Sequence, residues 1–530
     1  MARLDRDKRL KGHADCDSPP TPTPSTMSDT KEKLRTDSEG DVSVVAQVDD
    51  LIAAEGEFTE EEYSCLKRKF DWILMPMLML LYGIQYSDKT SLSSGVIFGL
   101  RDDTHMTLAQ YSTLTAFFYM AYALAQYPMM WFLQRVPLGR GLAVCIIIWG
   151  AMVMLLAACN NYAQLAAVRT FLGWFEAVVT PGFALFTSSW YLRREQTHRQ
   201  NLYYSMNTFF AIVFGLGIYY IAKNAQDRGG LAAWRVINLF LGSVTVGLGI
   251  IFLIFGGTPD EVWWLTAREK RMAKARIISN GTGTGGQHKW DWSQVKECLY
   301  DQQFWLAVVY NITSNIPNGS ITTFNTLVIQ SFGFTNLQTI MYNLPGYAVA
   351  CTSIVACGFA VHYWPKTRFP LAIIMQMFTF VALIYAGTDK HSGKWTKWAI
   401  WTVFSHQFAI GCFLTAWPMI SLNVAGRTKK SFFGGSSLLA YCIGNIIGSQ
   451  VMRPSDAPRY FKGLTVSAVF MLFSTVNLGH WWWYLWWQNK KRDQEFAASG
   501  MTVEEREHLN RVAGENDVTD LKNKHFRYIY

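Results

Sequence analysis

The chain has 530 residues, of which 50% are apolar and only 16% are charged, against about 25% charged residues in ordinary soluble domains. Most of its 48 basic and 39 acidic residues lie in residues 1–69, 257–302 and 489–530. The rest of the chain consists of apolar runs of about 18 residues or more, which predicts repeated membrane crossing. This composition excludes a secreted disulfide scaffold, a soluble enzyme and a nucleic-acid-binding protein.

The N-terminal region is polar and rich in Pro, Ser and Thr. Such a segment cannot bury enough apolar surface to fold alone, so we predict that residues 1–60 form a disordered tail. The next stretch, 57–70, has the pattern of a short amphipathic helix that ends in the basic residues Lys67, Arg68 and Lys69. Because Lys and Arg accumulate on the cytoplasmic side of membrane proteins, we expect the N-terminus in the cytoplasm.

Twelve apolar segments follow, each long enough to cross a bilayer as a helix. A polar stretch with GTGTGGQ at its middle divides them six and six, which is typical of two bundles joined by a flexible linker. We therefore predict an all-α membrane protein with two six-helix bundles, the first at 61–256 and the second at 303–488. A cytoplasmic linker at 257–302 joins them, and a cytoplasmic tail follows at 489–530. The last residues of this tail can dock on the cytoplasmic face. The predicted segments are 73–95, 110–133, 138–158, 162–189, 201–223, 234–256, 303–329, 338–362, 369–388, 398–422, 432–452 and 463–487.

Ionisable residues inside these segments are candidates for function, because burying a charge in hydrocarbon costs at least about 2.5–3.5 kcal/mol. The first bundle contains Asp88 and Lys89 in segment 1, and Arg169 and Glu176 in segment 4. The last two are seven residues apart and lie on nearly the same helix face, so both can line one cavity. Asp88 and Lys89 point about 100° apart, so one is expected to face the cavity and the other a neighbouring helix. The alternative is that these four residues form ion pairs that only hold the bundle together.

The second bundle offers neutral amides in place of charges. Segment 7 reads NITSNIPNGSITTFN, in which Asn311, Asn315 and Asn318 are candidates for substrate binding and Asn325 is a further amide. Pro317 with Gly319 is expected to break this helix, and a break at membrane depth is tolerated where it faces a water-filled cavity. His406 is the one ionisable residue well inside a segment of this bundle, and we expect it to be a core residue. Further kink signals are Pro181-Gly182, Pro345-Gly346 and Trp417-Pro418.

Four sequence motifs indicate which family of membrane proteins the chain resembles. Segment 1 reads YSDKTSLSSGVIFGLRDD, segment 2 contains QYSTLTAFFYMAYALAQYP followed by PLGR, segment 4 reads RTFLGWFEAVVTPGFALFTSSWY, and segment 7 contains IPNG. From about residue 60 to 525 the chain resembles the fungal allantoate permease family, an anion:cation symporter branch of the major facilitator superfamily. The resemblance implies uptake of a small organic anion together with protons.

The resemblance also implies roles for single residues. In related symporters the acid of segment 1 and the Glu of segment 4 are protonated, and these positions are Asp88 and Glu176 here. The residue after the first acid contacts the substrate, and here it is Lys89, which keeps a positive charge but lacks the planar fork of the more frequent Arg. Arg169 is implied to couple substrate to proton, with ionised Glu176 holding it until protonation. Gln126 stands where an acid is frequent in the family.

These expectations give one functional prediction. The chain is predicted to be a proton-coupled importer of a small carboxylate, such as a vitamin or an allantoate-like nutrient acid, that works by alternating access. It is expected to be a monomer in the plasma membrane with both termini in the cytoplasm. Its expected partners are the lipid bilayer, the anion and protons. The proton gradient is the expected energy source, and no cofactor or metal is expected. The alternatives are an exporter of a small acidic metabolite and a nutrient receptor that does not transport. An enzyme is not expected, because no catalytic constellation lies near the predicted membrane faces.

Overall fold

The computed structural model describes residues 58–530 except 134, 279–289, 390, 408–417, 421, 457–458 and 516. The predicted disordered tail therefore lies almost wholly outside the described residues, as does the glycine-rich middle of the linker. The described residues form helices and loops without any β-strand. The prediction of an all-α protein is confirmed.

The first six predicted segments correspond to seven long helices and one short helix. The fourth segment consists of two helices, Tyr162–Glu176 and Val179–Ser188, that meet just after Glu176. The helices are α1 (Glu60–Ile97), α2 (Leu100–Asp103), α3 (Leu108–Leu133), α4 (Leu138–Leu156), α5 (Tyr162–Glu176), α6 (Val179–Ser188), α7 (Arg193–Arg228) and α8 (Ala233–Phe255).

The linker and the second half of the chain are also helical. Two short helices in the linker precede the second bundle, and the tenth predicted segment is described only in part because 408–417 lies outside the described residues. The helices are α9 (Ala267–Ile278), α10 (Trp292–Tyr300), α11 (Gln302–Ser331), α12 (Asn336–Tyr363), α13 (Arg368–Thr388), α14 (Lys394–Phe404), α15 (Arg427–Val451), α16 (Phe461–Ser499) and α17 (Val503–Glu515). Short 3-10 turns occur at Pro365–Thr367 and Pro454–Asp456.

Within the described residues, eight spans are long and apolar enough to cross a membrane by length and composition. They include α4, the α5–α6 pair, α8 and α13. The helices α1, α3 and α11 do not meet that apolar criterion, and these are the helices that carry polar residues into the interior of the protein. Membrane helices that line a polar cavity are expected to be less apolar than those that face lipid.

The two bundles meet along three pairs of helices. In the first bundle α1 packs on α7 and α8, α4 on α8, and α3 on α5; in the second, α11 packs on α15 and α16, and α13 on α16. Between the bundles α1 contacts α11, α3 contacts α15, and α7 contacts α12. Polar residues on α1, α3 and α11 therefore face the plane between the bundles.

The expectation that Pro317 and Gly319 break segment 7 was wrong. Helix α11 runs without interruption from Gln302 to Ser331 with Pro317 inside it. A Cβ atom at Gly319 would lie within 3 Å of the backbone of Asn445 in α15. Glycine at this position therefore permits a close helix–helix contact, and packing of this kind allows a membrane helix to continue through proline.

Hydrogen bonds join the bundles at the membrane face away from the linker, which we call the far face. The Ser93 and Thr326 hydroxyls lie 2.9 Å apart, and Thr326 also donates to the Ser93 carbonyl at 2.5 Å. The Tyr111 hydroxyl donates to the Thr323 carbonyl at 2.6 Å. Asn336 donates to the carbonyl at the end of α1, at 2.6 Å. These bonds close the far-face end of the interface.

The C-terminal residues dock on the opposite face, which carries α9 and α10 and is called the linker face. Asn489 donates to the Tyr528 carbonyl at 2.7 Å, and Asn423 donates to the Ile529 carbonyl at 2.8 Å. The Lys429 ammonium is fully buried and lies 2.8 Å from Asp301 and 2.9 Å from Asp520. The end of the chain is thus part of the folded second bundle.

Candidate functional site

A small cavity with polar and apolar lining residues lies between the bundles on the linker side of the far-face hydrogen bonds. Residues from α1, α3 and α5 of the first bundle and from α11 of the second contribute to its wall. Its two charged residues, Lys89 and Arg169, are both cationic. The lining residues are Lys89, Leu92, Ser93, Thr115, Phe118, Tyr119, Arg169, Thr322 and Thr323.

Lys89 forms an ion pair across the first bundle. Its Nζ lies 2.9 Å from Oε1 of Glu176, whose side chain is fully buried. The ammonium also lies 5.7 Å from the centre of the Tyr122 ring, within the range of a cation–π contact. The Glu176 carboxylate therefore holds Lys89, and the expected pair of Glu176 with Arg169 is not the one that the structure forms.

Of the adjacent residues Asp88 and Lys89, Lys89 lines the cavity and Asp88 faces away from it. It is fully buried, and its Oδ2 accepts a hydrogen bond of 3.0 Å from the Trp149 indole in α4. A lone indole donor leaves most of a carboxylate's hydrogen-bonding capacity unused. Asp88 thus lies behind the cavity wall, on the α4 side of α1.

Arg169 is the second cation of the cavity and differs from Lys89 in its surroundings. Only 3% of its surface is exposed. Among the described residues no carboxylate lies within 4.0 Å of its guanidinium, and its Nε has no hydrogen-bond partner. A buried guanidinium with an unpaired Nε at a cavity can bind an anion, because arginine binds carboxylates through two parallel N–H···O bonds.

Gly173 allows Arg169 and Glu176 to reach the interior. It lies four residues after Arg169 and three before Glu176, on the same face of α5. A Cβ atom here would clash with the carbonyl oxygen of Phe118 in α3, so the two helices touch at backbone level. The side chains on either side of Gly173 therefore project past α3 toward α1 and the cavity.

The break between α5 and α6 has an identifiable cause. Pro181 has no N–H and cannot donate to the carbonyl of Ala177, four residues earlier. The Gln126 side chain of α3 donates to that carbonyl in its place, at 3.4 Å. Gln126 therefore supports the backbone directly after Glu176, a role that the sequence pattern alone did not indicate.

The asparagine side chains of segment 7 that were predicted to bind substrate do not line this cavity. Asn311 donates to the Ala307 carbonyl at 2.9 Å, and Asn315 donates to the Asn311 carbonyl at 2.7 Å. Asn318 donates to the side chains of Asn315 and Asn445, each at 3.1 Å. These amides join α11 to itself and to α15, and the residues described as lining the cavity do not include them.

A second small cavity adjoins the first and shares Ser93 and Thr322 with it. Its described lining is polar but carries no Asp, Glu, Lys or Arg. It also contains Asn325 and His406, to which the sequence reasoning gave little weight, and Asn343 and Tyr347, which it did not single out. The lining residues are Tyr86, Thr90, Ser93, Ser94, Ile321, Thr322, Asn325, Thr326, Asn343, Tyr347 and His406.

The chain is similar in sequence to known membrane transporters. The sequence profile of the Major Facilitator Superfamily matches residues 78–449. The allantoate permease of Saccharomyces cerevisiae is 32% identical over 488 residues, which cover 90% of this chain and 88% of the permease. An uncharacterized transporter of Schizosaccharomyces pombe is 31% identical over 481 residues, covering 89% of this chain and 87% of the relative.

The fold is also similar to solved structures. A bacterial homolog of the human lysosomal transporter Spinster, in an inward-facing and occupied conformation, superposes with a TM-score of 0.58 at 16% identity. The match covers 78% of this chain and 97% of that protein. At this identity the likeness concerns the fold of two six-helix bundles.

Proposed function

This chain belongs to the Major Facilitator Superfamily and, within it, to the allantoate permease family, and from that premise we propose that it imports a small carboxylate together with protons. Secondary transport of a small molecule across a membrane follows from the family itself. The anionic substrate, the proton coupling and the inward direction are the proposal.

The anionic substrate is supported chiefly by Arg169. The guanidinium lines the cavity, is 97% buried and has no carboxylate of the described residues within 4.0 Å. Membrane proteins keep buried cations of this kind where they bind a ligand or an ion. A substrate carboxylate in the cavity would accept hydrogen bonds from the guanidinium.

Proton coupling is supported by the charge balance of the site. With Asp88, Lys89, Arg169 and Glu176 all ionised, the site is neutral, and an incoming carboxylate would give it a net charge of −1. Protonation of Glu176 would compensate for this charge. It would also release Lys89, 2.9 Å away, to meet the carboxylate beside Arg169. Anion and proton thus bind more favourably together than either binds alone, and this is the condition for coupling.

Transport by alternating access is supported by the arrangement of the bundles. In the described conformation the far face is closed by the bonds of Ser93 with Thr326 and of Tyr111 with Thr323. Rocking of the bundles about the cavity would break these bonds and expose the site to the far face. We place the linker face in the cytoplasm and the protein in the plasma membrane, so that the far face is extracellular.

The direct test is transport by the full chain in cells that lack competing carriers. Uptake of a labelled panel of nicotinate, pantothenate, biotin, allantoate, aromatic carboxylates and neutral analogues would be measured at pH 5 and pH 7.5, with and without a proton uncoupler. We expect one carboxylate to accumulate at pH 5 and the uncoupler to abolish its accumulation. Accumulation that is insensitive to the uncoupler would refute proton coupling.

The same experiment separates the alternatives. A reduced retention of a preloaded anion, without uptake of any, would identify an exporter. A protein that neither takes up nor expels any member of the panel, but alters cell signalling when one is present, would be a receptor. Deletion of residues 1–55 provides a further control, because a carrier does not need this segment for transport.

A further inference from the structure

Tyr460, the residue before α16, has a backbone conformation that is unusual for a bulky residue. Its φ of 52° and ψ of 33° lie in the left-handed region. Among the described residues, six glycines also have positive φ, and so do His105 and Asp517, whose residue types enter this region more readily than tyrosine does. The left-handed conformation brings the Cβ atom of an L-residue too close to the following carbonyl oxygen, so the backbone of Tyr460 is strained.

Hydrogen bonds on both sides hold Tyr460 in this conformation. Its backbone N–H donates to the Asp456 carbonyl at 2.7 Å, and its carbonyl accepts from the N–H of Leu464 at 2.9 Å. The Asp456 carboxylate also accepts a bond of 3.0 Å from the N–H of Gly463. A strained residue persists only where its surroundings hold it in place, and such residues cluster at functional and switch regions.

The side chain of Tyr460 continues an aromatic contact that crosses between the bundles. Only 6% of Tyr460 is exposed, and its ring centre lies 6.0 Å from that of Phe324 in α11. The Phe324 ring is fully buried and meets the Tyr111 ring of α3 edge to face, at 5.7 Å and 86°. Both distances lie in the attractive range for aromatic pairs. Tyr111 is the residue whose hydroxyl donates to the Thr323 carbonyl at the far face.

The ring explains why a strained residue occupies position 460. Glycine would adopt the left-handed conformation without strain, but it would leave one side of the Phe324 ring without an aromatic neighbour. Phe324 directly follows Thr323, whose carbonyl accepts the far-face bond from Tyr111. The strained backbone of Tyr460 therefore places a ring behind the point where the two bundles meet.

We propose that Tyr460 is a positioning residue for closure of the far face: its ring supports Phe324 against Tyr111 while the far face is closed, and its backbone strain is released when the far face opens. This inference rests on the alternating access of the proposed function, because it requires the bundles to separate at the far face. Separation takes Tyr111 away from Phe324, so the ring contact that holds Tyr460 in its strained conformation loses its opposite side. The ring contact favours the closed conformation and the strain opposes it, and Tyr460 thus sets the balance between the two.

A distance measurement across the far face tests this role. Spin labels would be attached through p-acetylphenylalanine, which avoids the native cysteines, at Asp102 in α2 and Ser331 at the end of α11. Both residues are exposed and they belong to different bundles. Pulsed electron paramagnetic resonance of the full chain in lipid nanodiscs would give the ratio of long to short distances, that is, of open to closed far faces. Tyr111→Phe, which removes a far-face hydrogen bond, is the positive control for opening.

Three variants of Tyr460 separate the ring from the strain. Tyr460→Ala removes the ring and keeps a strained residue, and we expect it to raise the open-to-closed ratio about fivefold, the order expected for loss of one aromatic contact. Tyr460→Gly removes both the ring and the strain, so its ratio should be about fivefold below that of Tyr460→Ala. Tyr460→Phe keeps both and is the matched control, with the ratio of the wild type. If Tyr460→Ala does not fold, Tyr460→Leu replaces it, with the same direction expected.

The outcomes distinguish this role from a structural one and from the proposed function. A Tyr460→Ala protein that melts at a lower temperature but keeps the wild-type ratio would show that the ring only stabilises the fold, and would overturn the proposal. Equal ratios in Tyr460→Ala and Tyr460→Gly would overturn the release of strain. Opening in Tyr111→Phe without opening in Tyr460→Ala would leave alternating access intact and refute the role of Tyr460. Absence of the long distance in every protein, Tyr111→Phe included, would count against alternating access itself.

Discussion

The Nζ of Lys89 lies 2.9 Å from Oε1 of Glu176, and this ion pair joins the C-terminal third of α1 to the C-terminal end of α5. It leaves Arg169, about two turns earlier in α5, as the buried cation without a carboxylate within 4.0 Å among the described residues. We therefore propose different roles for the two cations of the cavity. Arg169 would be available to the substrate at once, whereas Lys89 would become available when Glu176 is protonated.

Glu176→Gln should abolish proton-driven accumulation and leave exchange of substrate across the membrane measurable. The amide is a permanent neutral mimic of the protonated acid, so Lys89 is always released and no proton is carried. The measurement compares accumulation under an imposed pH gradient with counterflow at equal pH, in proteoliposomes. Glu495→Gln, on the exposed end of α16, is the control. A Glu176→Gln protein that still concentrates substrate against its gradient would refute this assignment.

Arg169→Ala should eliminate binding of the anion, because it removes the cation that has open donors toward the cavity. Arg169→Lys restores the charge without the planar fork and should bind about tenfold more weakly than the wild type. Substrate binding to purified protein is the measurement, and Arg140→Ala, exposed at the start of α4, is the control. Wild-type affinity in Arg169→Ala would show that the anion binds elsewhere.

Gln126→Leu should destabilise the protein by about 1 kcal/mol, because the Ala177 carbonyl loses its side-chain donor. The cost should disappear in a Pro181→Ala background, where residue 181 regains its N–H and can donate to Ala177 itself. A double-mutant cycle on the free energy of unfolding in detergent measures this coupling. Additive effects of the two substitutions would show that Gln126 does not replace the bond that Pro181 cannot make.

Lys429→Met should destabilise the second bundle by about 3–5 kcal/mol, because it leaves buried carboxylates without their cation. The tail that contains Asp520 should then detach, which limited proteolysis near residue 517 would detect. Lys522→Met is the matched control, since Lys522 is 62% exposed and pairs with Glu297 at 3.5 Å. An exposed pair of this kind contributes less than about 1 kcal/mol. Similar losses in the two variants would contradict a buried anchoring role for Lys429.

The sequence by itself determined the architecture and the identity of the charged groups in the core. Apolar runs of bilayer length, interrupted once by a polar linker, predicted the two bundles, because a helix in lipid must satisfy its own backbone and cover itself with apolar side chains. Asp88, Lys89, Arg169 and Glu176 stood out because charges in such runs are rare. The divergence of Asp88 and Lys89 by about 100° also followed from the geometry of one helix.

Only the tertiary structure decided which of these groups meet. Helical periodicity gives the direction of a side chain about its own axis, but it does not tell which helix lies opposite. The pairing of Glu176 with Lys89 and the support of Ala177 by Gln126 depend on how α1 and α3 pack against α5. For the same reason Asn311 and Asn315 were expected at the cavity, whereas each of them donates to a carbonyl of α11. The hydrogen bond from the Trp401 indole to Asn325 likewise depends on a residue of another helix.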